Sequence, residues 1–181
     1  TIAAQDSNVE LVKAKSREML TKTYPEALGD ITKDKTTITI SGTHGKTTTT
    51  AMMYYAMKAC GINPTVIVGS LLSDHGISEA GSSTSQSYHP KDGLRTNFVS
   101  GDSEYMIVEA CEYKRSFLNL HPTHAVITNI DEDHLDYYKD LDDIKSAFQS
   151  FADRIPVEGS LTTHHDVRLT SLARHVDADA Y

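Results

Sequence analysis

The sequence predicts an α/β fold, with a P-loop-type, mostly parallel sheet carrying helices on both faces. Three observations point there. Short runs rich in β-branched residues alternate with stretches of helical composition or spacing, the order that a parallel sheet requires. A glycine-rich turn, Gly42-Thr43-His44-Gly45-Lys46-Thr47, stands between one such run and one such stretch. Acidic and histidine-bearing segments follow two further runs, at the strand ends where open α/β sheets bind ligands.

The elements follow in order. Ser7 or Asn8 can cap a first helix carrying Val9, Leu11, Val12 and Leu20. Tyr24, Pro25, Gly29 and Asp30 read as a looping linker. Residues 36–40, TTITI, predict a strand, and the glycine-rich turn leads from it into the helical AMMYYAMKAC, stopped at Gly61. Asn63 and Pro64 break the chain before a second strand over 65–69. Residues 70–100 are rich in Ser, Gly, His and Asn and predict loops with at most one short edge strand. Residues 105–110 and 124–130 predict a third and a fourth strand. Leu141, Ile144, Ala147, Phe148, Phe151 and Ile155 recur at helical spacing. The tail predicts a strand at GSLTT, a helix over 168–174 and a last strand over 178–181.

Composition bounds what such a fold can do. At 181 residues the chain suits one domain of ordinary size with extra sequence at its ends. Its mean hydropathy of −0.37 and 23% charged residues suit a soluble globular protein. A net charge of −8 argues against nucleic acid or an anionic membrane as partner. An acidic chain that handles phosphate must neutralise it locally, with a metal or a few placed cations. Cys60 and Cys111 lie far apart, without metal-ligand spacing, and read as two reduced thiols. No run approaches a transmembrane length and no signal peptide is evident, so the cytoplasm is the expected location. A start at Thr1 rather than Met suggests a piece of a longer protein or a processed product.

The glycine-rich turn carries the chemistry. Gly42 and Gly45 allow a tight turn that brings backbone N–H groups against phosphate oxygens. Thr43, His44 and Thr48 complete the loop and the first helical turn, whose dipole adds positive potential. Lys46 can reach the β- and γ-phosphates, and the Thr47 hydroxyl can ligate Mg²⁺. The loop is two residues shorter than the common G-x-x-x-x-G-K-[ST] form, so an ordinary turn with chance glycines is the alternative. Beyond Thr47, the remaining threonines can simply cap the helix.

Three segments together resemble the Mur ligase family: GTHGKTTTT, the Glu-Ala-x-Glu stretch in VEACEYKRSFLNLHP, and TNIDEDHLDYY. The histidine in the loop is similar to the branch that joins L-alanine to UDP-N-acetylmuramate. The resemblance is strong over residues 35–156. It implies the central ATP-binding domain over 35–181, incomplete at its C-terminus, and the end of an N-terminal UDP-binding domain with its linker over 1–34. It also implies an ATP-dependent ligase working through an acyl phosphate, with ATP and Mg²⁺ held here. UDP-N-acetylmuramate and L-alanine would need domains that 181 residues cannot contain, so this chain alone would be inactive.

By the same resemblance Glu109 bridges the metal sites and His134 ligates a second metal, an unusual partner for a hard cation. Asn129 is expected to position a phosphate or the substrate carboxylate. With Lys46, these three make the expected catalytic set. Glu112 fits the motif but can serve only to orient its neighbours. Asp136 either fixes the His134 tautomer or caps a turn, Glu132 reads as part of a solvated acidic turn with Asp131 and Asp133, and His121 and His124 read as structural. The stretches 78–95 and 159–167 depart from the family pattern. The alternatives are another Mur-type ligase, of the murein-peptide recycling or folylpolyglutamate synthetase kind, or a nucleotide-binding module without catalysis.

Overall fold

The computed structural model describes residues 6–73 and 95–164. Six strands form one sheet: β1 (Thr36–Ser41), β2 (Thr65–Ser73), β3 (Arg95–Val99), β4 (Tyr105–Glu109), β5 (His124–Ile127) and β6 (Ser160–Thr163). Their spatial order is β3-β2-β4-β1-β5-β6. All pairings are parallel except β2 with β3, an antiparallel edge. The helices are α1 (Val9–Ser16), α2 (Tyr24–Thr32), α3 (Lys46–Ala59) and α4 (Leu141–Ala152), with a 3-10 segment at Tyr113–Asn119.

Strand alternation supplies two cores. On β4, Ile107 joins Ile40, Tyr54, Val66 and Val68 on the α3 face. Met106 and Val108 join Phe117, Ala125, Ile127 and the α4 residues on the other. On α4, Ile144, Ala147, Phe148 and Phe151 are all buried, an i, i+3, i+4, i+7 stripe. Phe117 anchors that face, stacked on Phe151 at 4.6 Å and edge-on to Phe148 at 5.2 Å. β1 is central, so its polar Thr37 and Thr39 are buried as well. Each is satisfied: the Thr37 hydroxyl donates to the Thr32 carbonyl (3.1 Å) and the Thr39 hydroxyl to the His124 carbonyl (3.2 Å).

The expected linker is a helix. At its start the Thr23 side chain accepts from the Glu26 amide while the Glu26 carboxylate accepts from the Thr23 amide (2.7 Å), a capping box with Pro25 in the first turn. Gly29, read as a turn residue, sits inside this helix for packing reasons. A Cβ there would lie 2.2 Å from the Asn119 carbonyl oxygen, so the glycine lets α2 seat against the 3-10 segment. Asn8 caps α1, accepting from the Glu10 (3.0 Å) and Leu11 (3.1 Å) amides. That helix buries none of its residues, and Leu20 lies beyond it, exposed.

Other boundaries shift by a few residues. α3 starts at Lys46 and absorbs the threonine run; the Thr50 hydroxyl bonds back to the Lys46 carbonyl at 2.8 Å. β2 runs on to Ser73 because β3 pairs with it through a register shift between Ile67 and Leu72. β5 ends at Ile127, because the backbone from Thr128 onward turns to meet the glycine-rich loop instead of continuing the ladder. The GSLTT strand is present as β6. Of the divergent stretches, 78–95 lies outside the described residues except for Arg95, and 159–167 is described as far as 164; the helix over 168–174 and the strand over 178–181 lie outside them. Among the described residues, no helix is long and apolar enough to cross a membrane, and both cysteines are free.

Candidate nucleotide and metal site

The glycine-rich loop leaves β1 at the C-terminal edge of the sheet, flanked by the ends of β4 and β5. Gly42 adopts φ +131°, and a Cβ there would fall 2.1 Å from the Thr128 hydroxyl. Gly45 takes φ +82° as the N-cap of α3 and has no side chain to bond the first-turn amides. Those N–H groups have no partner within the helix, and with the helix dipole they are the kind of donors that suit an anion.

The segment after β5 braces this loop. The Asn129 amide is used at both ends, accepting from the His44 N–H (2.9 Å) and donating to the His44 carbonyl (3.0 Å). The Thr128 hydroxyl also donates to the His44 carbonyl (2.6 Å). The Thr43 hydroxyl accepts from the Asp131 amide (2.9 Å), and the Thr43 amide donates to the Asn129 carbonyl (3.1 Å). In this arrangement Asn129 shapes the loop backbone directly. Thr128 does the same, and nothing but its place beside Asn129 marked it in the sequence.

Two carboxylates from the end of β4 face the loop. Glu109 receives the Thr47 hydroxyl at 3.0 and 3.1 Å and the Gly69 amide at 2.7 Å. Gly69 can come this close because a Cβ there would sit 2.8 Å from the Glu109 carboxylate. A threonine hydroxyl beside a carboxylate is a hard-oxygen pair suited to Mg²⁺, so this part of the expected metal set fits that ion chemically.

Glu112 is the residue that sequence reasoning undervalued. Its side chain is 3% exposed, and Lys46 Nζ lies 3.1 Å from Oε1 and 3.0 Å from Oε2. Oε2 has no hydrogen bond of its own, so that contact is ionic. Lys46 also donates to the Gly42 (2.5 Å) and Thr43 (3.1 Å) carbonyls. His134 Nε2 stands 3.6 Å from Glu112 Oε1 and 3.9 Å from Asp133 Oδ2. Glu112, Asp133 and His134 thus offer ligand atoms within 4.8 Å of one another. The carboxylates gathered around His134 are therefore Glu112 and Asp133, while Glu109 is paired with Thr47.

His134 is held in a left-handed conformation, φ +53°. Its amide bonds the Asp133 carboxylate (2.7 Å), its carbonyl accepts from the Tyr137 and Tyr138 amides (both 2.9 Å), and its ring packs on Tyr113 at 4.7 Å. Asp136 accepts from the Tyr113 hydroxyl (2.7 Å), an interaction that raises the Tyr113 pKa. Burial pushes the Tyr138 hydroxyl up to about 12, so it stays a donor, to the Glu112 carbonyl at 2.5 Å. Partial burial also raises the Cys111 thiol above its usual range. His124 bonds Ser160 (2.8 Å) and so ties β5 to β6.

Two clefts differ in their relation to this chemistry. A cleft of about 270 Å³ between α2 and the 3-10 segment, walled by Pro25, Leu28 and Phe117, opens on Glu109 and Cys111. A larger one, about 490 Å³, is lined by Lys22, Lys33, His121 and Arg154. It lies at the opposite end of the sheet, and its lining includes no residue of the glycine-rich loop and neither Glu109, Glu112 nor His134.

Residues 40–179 match the family model of the Mur ligase middle domain. The UDP-N-acetylmuramate–L-alanine ligase of Caldicellulosiruptor bescii is 46% identical over 167 residues, covering 92% of this chain and 32% of that protein. The solved structure of UDP-N-acetylmuramate–alanine ligase from Thermotoga maritima aligns with a TM-score of 0.67 at 26% identity, over 93% of this chain and 35% of its own. The MurF ligase of Thermotoga maritima, solved in complex with ADP, aligns with a TM-score of 0.59 at 15% identity, over 87% of this chain and 36% of its own, a likeness of fold. The chain spans about a third of the length of the curated relatives it matches.

Proposed function

This chain belongs to the Mur ligase middle-domain family, and from that premise we propose that it is the ATP- and Mg²⁺-binding part of a ligase of peptidoglycan precursor synthesis. The whole enzyme would join L-alanine to the carboxylate of UDP-N-acetylmuramate. Residues 1–34 would be the end of an N-terminal UDP-binding domain with its linker, and 35–181 most of the central domain. The observation that carries this reading is the meeting of Lys46, Thr47 and Glu109 at the N-terminus of α3, behind a glycine N-cap that bonds none of the first-turn amides.

In the proposed reaction the acceptor carboxylate attacks the γ-phosphorus of ATP, forming an acyl phosphate and releasing ADP. The alanine amine then attacks the acyl carbon, and the tetrahedral intermediate expels phosphate with loss of a proton from nitrogen. The residues of this chain bind and orient for that chemistry. Loop amides and Lys46 would hold the phosphates in line. Thr47, Glu109 and His134 would hold Mg²⁺, which when bound neutralises charge on the phosphates. The Thr47–Glu109 contact supports this, and His134 would reach its ion with Asp133 as neighbour. Asn129 would act by fixing the loop around His44. The apolar-walled cleft that opens on Glu109 is the suggested approach of the acceptor.

Titration calorimetry with ATP, with and without Mg²⁺, tests the reading. Mg²⁺-dependent binding that Lys46→Ala abolishes and His134→Ala weakens is the expected result. A full-length protein that binds no ATP would sink it.

A further inference from the structure

We infer that Glu112 is a positioning residue that acts through Lys46: its buried carboxylate occupies the lysine in place of phosphate, and nucleotide must displace it to bind. The inference rests on the loop being a nucleotide site and adds to that reading a competitor built into the chain.

The donors of Lys46 are fully engaged. An ammonium has three N–H groups, and the three acceptors around Nζ are the Gly42 carbonyl, the Thr43 carbonyl and Glu112. A phosphate oxygen can reach Nζ only by replacing one of them. Two are neutral groups of the loop itself. The third is the anion, and it would repel a phosphate placed beside it in a site where Glu112 is 3% and Lys46 15% exposed. Glu112 is therefore the acceptor that gives way.

The main chain around Glu112 is pinned, so the exchange is a side-chain movement. Its carbonyl accepts from the Tyr138 hydroxyl (2.5 Å) and the Arg115 amide (2.9 Å). A carboxylate released from Lys46 has its next partner at hand, His134 Nε2 at 3.6 Å. Phosphate arrival at Lys46 would thereby be passed to the histidine through one carboxylate. A ligand carrying several phosphate charges can take Lys46 from Glu112. One that brings little charge to the loop cannot, so the pair discriminates for di- and triphosphates.

The experiment is a double-mutant cycle on ADP affinity without Mg²⁺, which isolates the lysine from any metal. Glu112→Gln keeps the shape and removes the competing charge. ADP should bind roughly fivefold tighter or more, a change within the coupling range of contacting residues. In a Lys46→Ala background the same substitution should change affinity by less than about twofold. Glu112→Asp, which keeps the charge, should stay near wild type. A merely structural role would predict weaker binding in every variant. Glu112→Gln that weakens ADP binding while folded, or has the same effect without Lys46, overturns the inference. So does a loss confined to Mg²⁺–ADP, which would mark Glu112 as a metal ligand. If Glu112→Gln does not fold, the ¹³C signal of the wild-type Glu112 carboxyl must shift when ADP is added, and an unmoved signal overturns the inference. Wild-type protein that binds no nucleotide would instead refute the site reading beneath it.

Discussion

Alanine at Gly42 should damage the loop far more than alanine at Gly45, although both glycines lie at positive φ. At Gly45, φ is +82° and an added Cβ meets nothing within 4 Å, so only the backbone is penalised. That term is about 1–2 kcal/mol. At Gly42, φ is +131° and the new Cβ would stand 2.1 Å from the Thr128 hydroxyl and 3.0 Å from the Asn129 carbonyl. Thr128 has little room to yield, since its hydroxyl is bonded to the Ser41 (3.2 Å) and His44 (2.6 Å) carbonyls. Overpacking of this kind adds about 1–3 kcal/mol to a backbone term of similar size. At about 2–4 °C per kcal/mol for a domain of this length, Gly45→Ala lowers Tm by about 2–8 °C. Gly42→Ala should cost about twice as much. Thermal denaturation read by circular dichroism measures both. Adding Thr128→Ala removes the nearest obstacle, so the Gly42→Ala, Thr128→Ala double variant should be more stable than the sum of the singles by about 1–2 kcal/mol. Equal losses at the two glycines, or strict additivity with Thr128→Ala, would refute the idea that the end of β5 shapes the loop.

Phe148→Ala should cost about 3–5 kcal/mol in urea denaturation, because the ring is fully buried and edge-on to Phe117. Thr23→Ala removes half of the α2 capping box and should cost about 1 kcal/mol, with faster hydrogen exchange confined to that helix. Burial, with Arg154 and Lys33 nearby, lowers the His121 pKa below its ordinary 6.5. The unfolded chain then takes up the proton first, so stability should fall as pH drops through 6.5, and His121→Gln should flatten that fall between pH 7 and pH 5.5.

The parallel sheet was legible because its strands are short β-branched runs separated by one long helical pattern and one glycine-rich turn. The α4 stripe was equally legible, since Ile144, Ala147, Phe148 and Phe151 repeat at the period of the helix they form. Helix α2 was not. Pro25 and Gly29 carry turn signals locally, and only the approach of Asn119, ninety residues away in sequence, explains why a glycine belongs inside that helix. Resemblance marked Glu109 and His134 but left Glu112 with an orienting role, since nothing near it in sequence records that Lys46, 66 residues away, supplies its counter-charge.

By itself the sequence determined what depends on neighbours along the chain: element types, the glycine-rich loop, the acidic and histidine motifs, and the family they resemble. Tertiary structure alone decided which of those groups face one another. It paired Thr47 with Glu109, placed Glu112 between Lys46 and His134, and turned Asn129 onto the backbone of His44. The physical reason is that secondary structure and loop shape follow from local periodicity and backbone freedom. Charge pairing and burial instead depend on distances through space, set by the order in which the strands of the sheet come together.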